Sequence, residues 1–344
     1  MNSRPLITVL LICLAVFSIV VTTTIGVAEI SFMDVTRMFI NKIAYFGQFI
    51  QEDWPSTWET IIFNMRLPRV VLGFIVGASL SIAGAAFQGL LRNPLADPYT
   101  IGVSSGAALG ATVAIFLQNS YGLFLFGGVP FFAFLGAILA LLFVYNLSKV
   151  GNNIPVVTLL LAGVVVSSFL SAVISLLMLS AGEHIRGIFF WLVGGLSLKT
   201  WSHVLMVLPY VIIGSSVIFY WSRDLNVILL GEEAASNLGI EVNRVKKIIL
   251  VAASLITGAV VSVSGMIGFV GLIIPHAVRM IVGPDHRILI PTSALVGGIY
   301  LIWVDSAART LMAPIEMPVG IITAFLGAPF FIYLLRTKRK DFRF

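Results

Sequence analysis

The sequence predicts an all-α polytopic membrane protein of about ten transmembrane helices, and three observations predict it. The 344 residues are 59% hydrophobic and only 10% charged, where a soluble domain is about half apolar and a quarter charged. Apolar residues collect in runs long enough to cross a bilayer, with a mean hydropathy of +1.05. The 21 Lys and Arg fall in short segments between those runs rather than in one patch. The formal charge of +6 therefore reads as a membrane protein's loop bias and not as a nucleic-acid surface.

A helix needs roughly 20 apolar residues to cross the hydrocarbon core. Clear runs occupy about 6–28, 68–90, 122–147, 156–180, 203–221, 245–263 and 317–335. Runs shortened or broken by glycine and proline occupy about 99–117, 268–283 and 288–312. Together they leave no stretch for a soluble catalytic domain, so residues 1–344 form a single transmembrane domain. The first run follows Arg4 but is long for a signal core and has no small-x-small cleavage site after it, which makes it a span. With ten spans and a cytoplasmic N-terminus, fourteen of the 21 Lys and Arg lie on one side and seven on the other. That places both termini in the cytoplasm, with the chain multi-pass in the cell membrane.

Individual elements follow in order. Arg66 and Arg69 flank Leu67-Pro68 at the outer start of the second span. Gly73 and Gly77, then Gly102, Gly106 and Gly110, recur every four residues. Such ridges let helices pack closely, which we favour over a pathway lining. The segment Gln88–Pro98, with two prolines, Asn93 and Asp97, breaks the chain at the cytoplasmic end of that span. Within a cytoplasmic loop of about 224–243, Gly231–Gly239 reads as a short polar helix with Glu232 and Glu233 in its first turn and Gly239 at its end. It suits docking of a soluble partner; the plainer alternative is a solvated connector. Ser264–His276 carries three spaced glycines and a proline, the pattern of a shortened span beside a transport path. Phe87–Leu91 and Phe269–Ile273 echo one another, and the topology sets them on opposite faces as an inverted repeat would.

Several chemistries are missing from the pattern. The only ionisable candidates at membrane depth are Asp305 and Arg309, four apart and thus a local pair. His184, His203, His276 and His286 lack ligand spacing, Cys13 stands alone in an apolar run, and no G-x-x-x-x-G-K-[ST] loop occurs. The sequence therefore assigns no catalytic, cofactor-binding or metal-binding residue. An ion-coupled secondary carrier would need charges at mid-span, and a membrane enzyme would need paired His or carboxylates; adjacent Glu232 and Glu233 diverge on a helix.

Taken in order, Arg66-Leu67-Pro68-Arg69, Gln88–Pro98, Ile101–Ala107, Gly231–Gly239, Gly268–His276 and Pro314-x-Glu316-x-Pro318-x-Gly320 resemble the FecCD permease family over about 60–340. These are the BtuC-like membrane subunits of ABC importers for iron–siderophore complexes, haem and cobalamin. The resemblance implies a permease without a nucleotide site of its own, translocating an iron–siderophore or, alternatively, cobalamin or haem. It implies as partners a second permease subunit (identical or paralogous), two cytoplasmic ATPase subunits and an extracytoplasmic substrate-binding protein. It further implies ATPase coupling through Gly231, Glu232, Glu233, Ala234, Ala235, Leu238 and Gly239, and a cytoplasmic gate at Asn93, Leu95, Val156 and Val157, where ordinary packing is the alternative. Finally, it implies binding-protein docking through Arg66, Arg69 and Arg309, where interfacial anchoring is the alternative.

Overall fold

The structure is a computed structural model that describes residues 3–26, 28–43, 45, 47–123, 127–151, 153–182 and 185–337. His184 and the basic residues Lys338, Arg339, Lys340 and Arg343 lie outside the described residues. The described residues form fourteen helices: α1 (Ser3–Thr24), α2 (Phe32–Asn41), α3 (Ser56–Leu90), α4 (Val103–Tyr121), α5 (Gly128–Ser148), α6 (Val156–Ser180), α7 (Ile185–Leu192), α8 (Trp201–Tyr220), α9 (Ser222–Ile228), α10 (Glu232–Asn237), α11 (Val242–Ser264), α12 (Val270–Val282), α13 (His286–Thr310) and α14 (Val319–Thr337). Seven of them, α1, α3, α5, α6, α8, α11 and α13, are long and apolar enough to cross a membrane. The 19-residue α4 and the shorter apolar helices Val270–Val282 and Val319–Tyr333 account for the remaining runs. The fold is the all-α polytopic one that the composition demands.

Burial sorts the helices into a centre and a rim. The apolar stretches of α3 and α11 are 83% and 78% buried, against 22–28% for α1, α5, α6 and α8. The rim helices turn Phe17, Leu142, Phe169 and Ile213 outward, as a lipid-facing surface requires. Central helices approach by glycine. Gly77 of α3 lies against the Gly297 carbonyl of α13, Gly84 against that of Gly271 in α12, and Gly106 of α4 against that of Gly136 in α5. The small-residue ridges are thus packing surfaces. A Cβ at Gly84 would fall inside the Gly271 carbonyl oxygen, so Gly84→Ala must push two backbones apart. We expect a loss of at least about 1–3 kcal/mol, the usual cost of overpacking, read as lowered thermal stability in detergent.

Two elements differ from the sequence expectation. The second span begins twelve residues earlier than 68, at Ser56. Polar Glu59, Asn64 and Arg66 interrupt its hydropathy, and Pro68 reads as a start. In fact Thr60–Arg66 is a π-helical stretch in which the Leu67 N–H bonds the Ile62 carbonyl; this wider turn lets the helix run through a proline whose ring would otherwise strike the carbonyl four residues back. The expected shortened span is present. α11 ends at Gly265, and α12 is 13 residues, about 20 Å by its rise and short of a ~30 Å core. The connecting stretch is pinned: the Tyr99 hydroxyl donates to the Ile267 carbonyl at 2.8 Å and accepts from its N–H at 2.9 Å. The echo is corrected, because Gln88 Nε2 donates to the Leu272 carbonyl at 3.0 Å. The two segments meet at one level instead of lying on opposite faces.

Candidate functional site: two ends of the helix bundle

At one end of the bundle, α3 and α13 bring Arg66, Arg69, Asp305 and Arg309 together with Glu316 of the α13–α14 connection. Arg69 donates to Asp305 from Nε at 3.1 Å to both oxygens and from Nη2 at 2.9 Å. Its Nη1 reaches Glu316 at 2.9 Å, and Glu316 also accepts from Ser197 Oγ. Arg309 Nε lies 3.2 Å from Asp305 Oδ2, so the local pair read from the four-residue spacing exists and is shared with Arg69. Burial pushes the Glu316 carboxyl up, but Ser197 and Arg69 outweigh it and hold it below its ordinary value.

Arg66, Arg69 and Arg309, expected at a docking surface, turn into the bundle. All three are buried. Arg66 donates to the carbonyls of Thr23 (3.3 Å), Thr24 (2.7 Å) and Ala28 (2.7 Å); Arg309 donates to those of Thr22 (3.1 Å) and Ile25 (2.8 Å). Those of Thr22, Thr23 and Thr24 are among the carbonyls that a helix leaves unsatisfied at its C-terminus. α1 has no basic residue in its own last turn, so two arginines from other helices cap it.

At the other end lie the expected coupling and gate residues. Gly231, with φ +122°, starts α10, and Gly239, with φ +87°, follows its end. Ala235 is fully buried in the main core, whereas Leu230 and Leu238 are 71% and 68% exposed. Glu233 is exposed and Ala234 half-buried. Glu232 pairs with the buried Lys246 of α11 at 2.5 Å. Ala235 thus turns inward and Glu232 is paired within the chain, while Glu233 and Leu238 are exposed without such a pair. Among the gate residues, Asn93 Oδ1 accepts from the Leu95 N–H at 2.9 Å, closing the turn after α3. Leu95 and Val157 are exposed, while Val156 packs beside Leu90, Leu91 and Leu250. A groove of ≈540 Å³ joins Pro155, Val156 and Val157 to Glu232, Glu233 and Lys246. Expected gate and expected coupling helix thus share one cavity.

A partly buried clamp beside this end had no signal in sequence spacing. Asn226 of α9 donates from Nδ2 to Asp285 at 2.7 Å and accepts at Oδ1 from the His286 N–H at 2.8 Å, with His286 Nδ1 at 2.9 Å. The His286 ring fills the space beside Gly89 at the end of α3. Its partners are 60 residues apart in sequence, and His286 is fully buried rather than interfacial. Arg287 bonds the Asp285 carboxylate and holds it well below the usual carboxylate range. That contribution is complete at neutral pH and fades only on strong acidification. Asn226→Leu should cost about 1–3 kcal/mol, because it strands buried donors; thermal unfolding at pH 7 measures it.

Among the described residues no group of three or more His, Cys, Asp or Glu could hold a metal ion.

The model of the FecCD transport family matches residues 10–337. The chain is 50% identical over 284 residues to the cobalamin import system permease protein BtuC of Halobacterium salinarum, covering 83% of this chain and 75% of that one. It is 39% identical over 293 residues to the hemin transport system permease protein HmuU of Yersinia pestis, covering 83% and 86%. It is 35% identical over 343 residues to the iron(3+)-hydroxamate import system permease protein FhuG of Bacillus subtilis, covering 97% and 98%. A solved ABC transporter of proposed metal-chelate type, in an inward-facing conformation, superposes with a TM-score of 0.82 at 32% identity, covering 97% of this chain and 100% of that one. Match and superposition both run through the arginine end and the α10 end alike, and the chain belongs to the FecCD transport family.

Proposed function

We propose that the chain is the transmembrane permease of a binding-protein-dependent ABC importer that moves a metal chelate across the cytoplasmic membrane. The family match over residues 10–337 carries this reading. ATP is hydrolysed by two separate cytoplasmic subunits, a second permease subunit completes the path, and an extracytoplasmic protein delivers the cargo. The α10 end faces the cytoplasm with both termini, as the fourteen-to-seven division of the 21 Lys and Arg supports. Leu230, Glu233 and Leu238 form the surface offered to the ATPase, and Val157 and Leu95 the surface offered to the path. Arg66, Arg69 and Arg309 serve docking at the outer end indirectly, by fixing Glu316 and the end of α1 beneath it.

The cargo is an iron–siderophore or, alternatively, cobalamin or haem. The second reading is favoured by the 50% identity to a cobalamin permease against 35% to a hydroxamate permease. The test is uptake into proteoliposomes holding the permease with its ATPase and binding protein, with cyanocobalamin and a ferric hydroxamate offered together. ATP-dependent accumulation of one of them supports importer function and names the cargo. Uptake by the permease alone without ATP would make it a secondary carrier and sink the proposal.

A further inference from the structure

A cavity of ≈560 Å³ lies behind the arginine end, with Phe190, Trp191, Lys199, His203, Ser264 and Glu316 in its wall. Its polar groups do not balance. Glu316, the carboxylate on the wall, is already taken by Arg69 and Ser197. Ser264 Oγ is spent on the Val260 carbonyl at 2.9 Å. The His203 ring accepts at Nδ1 from the Thr200 N–H at 3.3 Å, which puts the ring proton on Nε2 and leaves that nitrogen a donor.

Lys199 is the sharper anomaly. Of the other described cations at this end, Arg37, Lys42, Arg69 and Arg309 pair with carboxylates. Arg66 is bound by three carbonyls, and Arg186 lies over the Phe190 ring. Among the described residues no hydrogen bond or ion pair engages the Lys199 ammonium. It nonetheless sits half-buried between this cavity and a second of ≈620 Å³ that reaches Arg66. Burial lowers its pKa. A chain this poor in charge gains nothing by sinking an ammonium without a counter-ion, and a bound anion would supply one.

We propose that this cavity binds a small carboxylate-bearing anion, gripped by Lys199 Nζ and the His203 Nε2–H, with Phe190 and Trp191 against its carbon skeleton. The volume suits a small ligand, and an apolar wall with few convergent donors is the usual make-up of such a site. The anion can be a free carboxylate or the carboxylate of a metal chelate. The site does not depend on the importer reading, since binding is measured on the permease alone.

The test is calorimetric titration of citrate and of its iron(III) complex into the purified chain in lipid nanodiscs. Saturable binding is expected for at least one, and the tighter of the two separates free anion from chelate. The uncharged propane-1,2,3-tricarboxamide should not bind. Lys199→Gln should weaken binding about tenfold or more, as loss of a charged hydrogen bond does. Lys199→Arg should keep it within a few-fold, and Lys149→Gln, exposed at the other end, should change nothing. All variants are compared at equal monodispersity by gel filtration. No binding of either probe by the unmutated chain, or equal affinity in Lys199→Gln, overturns the proposal.

Discussion

Asp305→Asn should be among the most damaging single substitutions in this chain, lowering its stability by about 3–5 kcal/mol. Asp305 is 1% exposed and is bonded by Arg69 and within 3.2 Å of Arg309. Removing its charge leaves two buried guanidiniums facing each other, with only the half-exposed Glu316 to offset them. Thermal unfolding in detergent and the yield of monodisperse protein measure the loss. Glu316→Gln should cost much less, because that carboxylate is 41% exposed and water can replace it. The decisive comparison is the double variant Arg69→Met with Asp305→Leu. If the charges serve only one another and the α1 cap, it should recover part of the loss, since well-packed apolar pairs often equal buried ion pairs while Arg309 keeps only its carbonyl partners. Full stability of Asp305→Asn alone would show that Asp305 bears little of the load that its geometry assigns to it.

The same cluster shows what sequence can and cannot convey here. Long apolar runs mark the spans because lipid rewards nothing else, and a glycine-interrupted run marks α12 because a 13-residue helix cannot hide its ends. The Asp305–Arg309 pair was legible from its four-residue spacing, a local property of any helix. Arg66 and Arg69 read as outward charges, because a charge at a span end is presumed to seek water. Their actual partners are Ala28, the backbone of α1, Asp305 and Glu316, up to 247 residues away, and no local pattern encodes such distances. The inward turn of Ala235 escapes the sequence for a related reason. On a helix, orientation toward the core is set by which neighbour packs there, and α10 has too few residues for a periodic signal. The clamp of Asn226 and His286 had no signal at all, being one amide and one imidazole that only the fold brings together.

Leu238→Arg should leave the permease folded and abolish capture of its ATPase, the second large effect we expect. Leu238 is 68% exposed at the end of α10, beside exposed Leu230, and no core contact is lost on replacing it. Two exposed leucines on a short charged loop of a chain otherwise economical with loops have a use if a partner covers them. An arginine there would bury an unpaired charge in such an interface. Co-purification from detergent should fall at least tenfold, a change of about 1.4 kcal/mol, with gel-filtration behaviour unchanged. Ala235→Arg should act differently. Ala235 is fully buried, so the larger side chain must first dislodge α10 from α11, and the Glu232–Lys246 pair at 2.5 Å goes with it. That variant should lose thermal stability as well as the ATPase, and alone it could not separate docking from folding. Leu238→Arg can. Undiminished ATPase capture and uptake in that variant would reduce α10 to a connector between α9 and α11, and the ATPase surface would then have to be sought on the turn of Asn93 and Leu95.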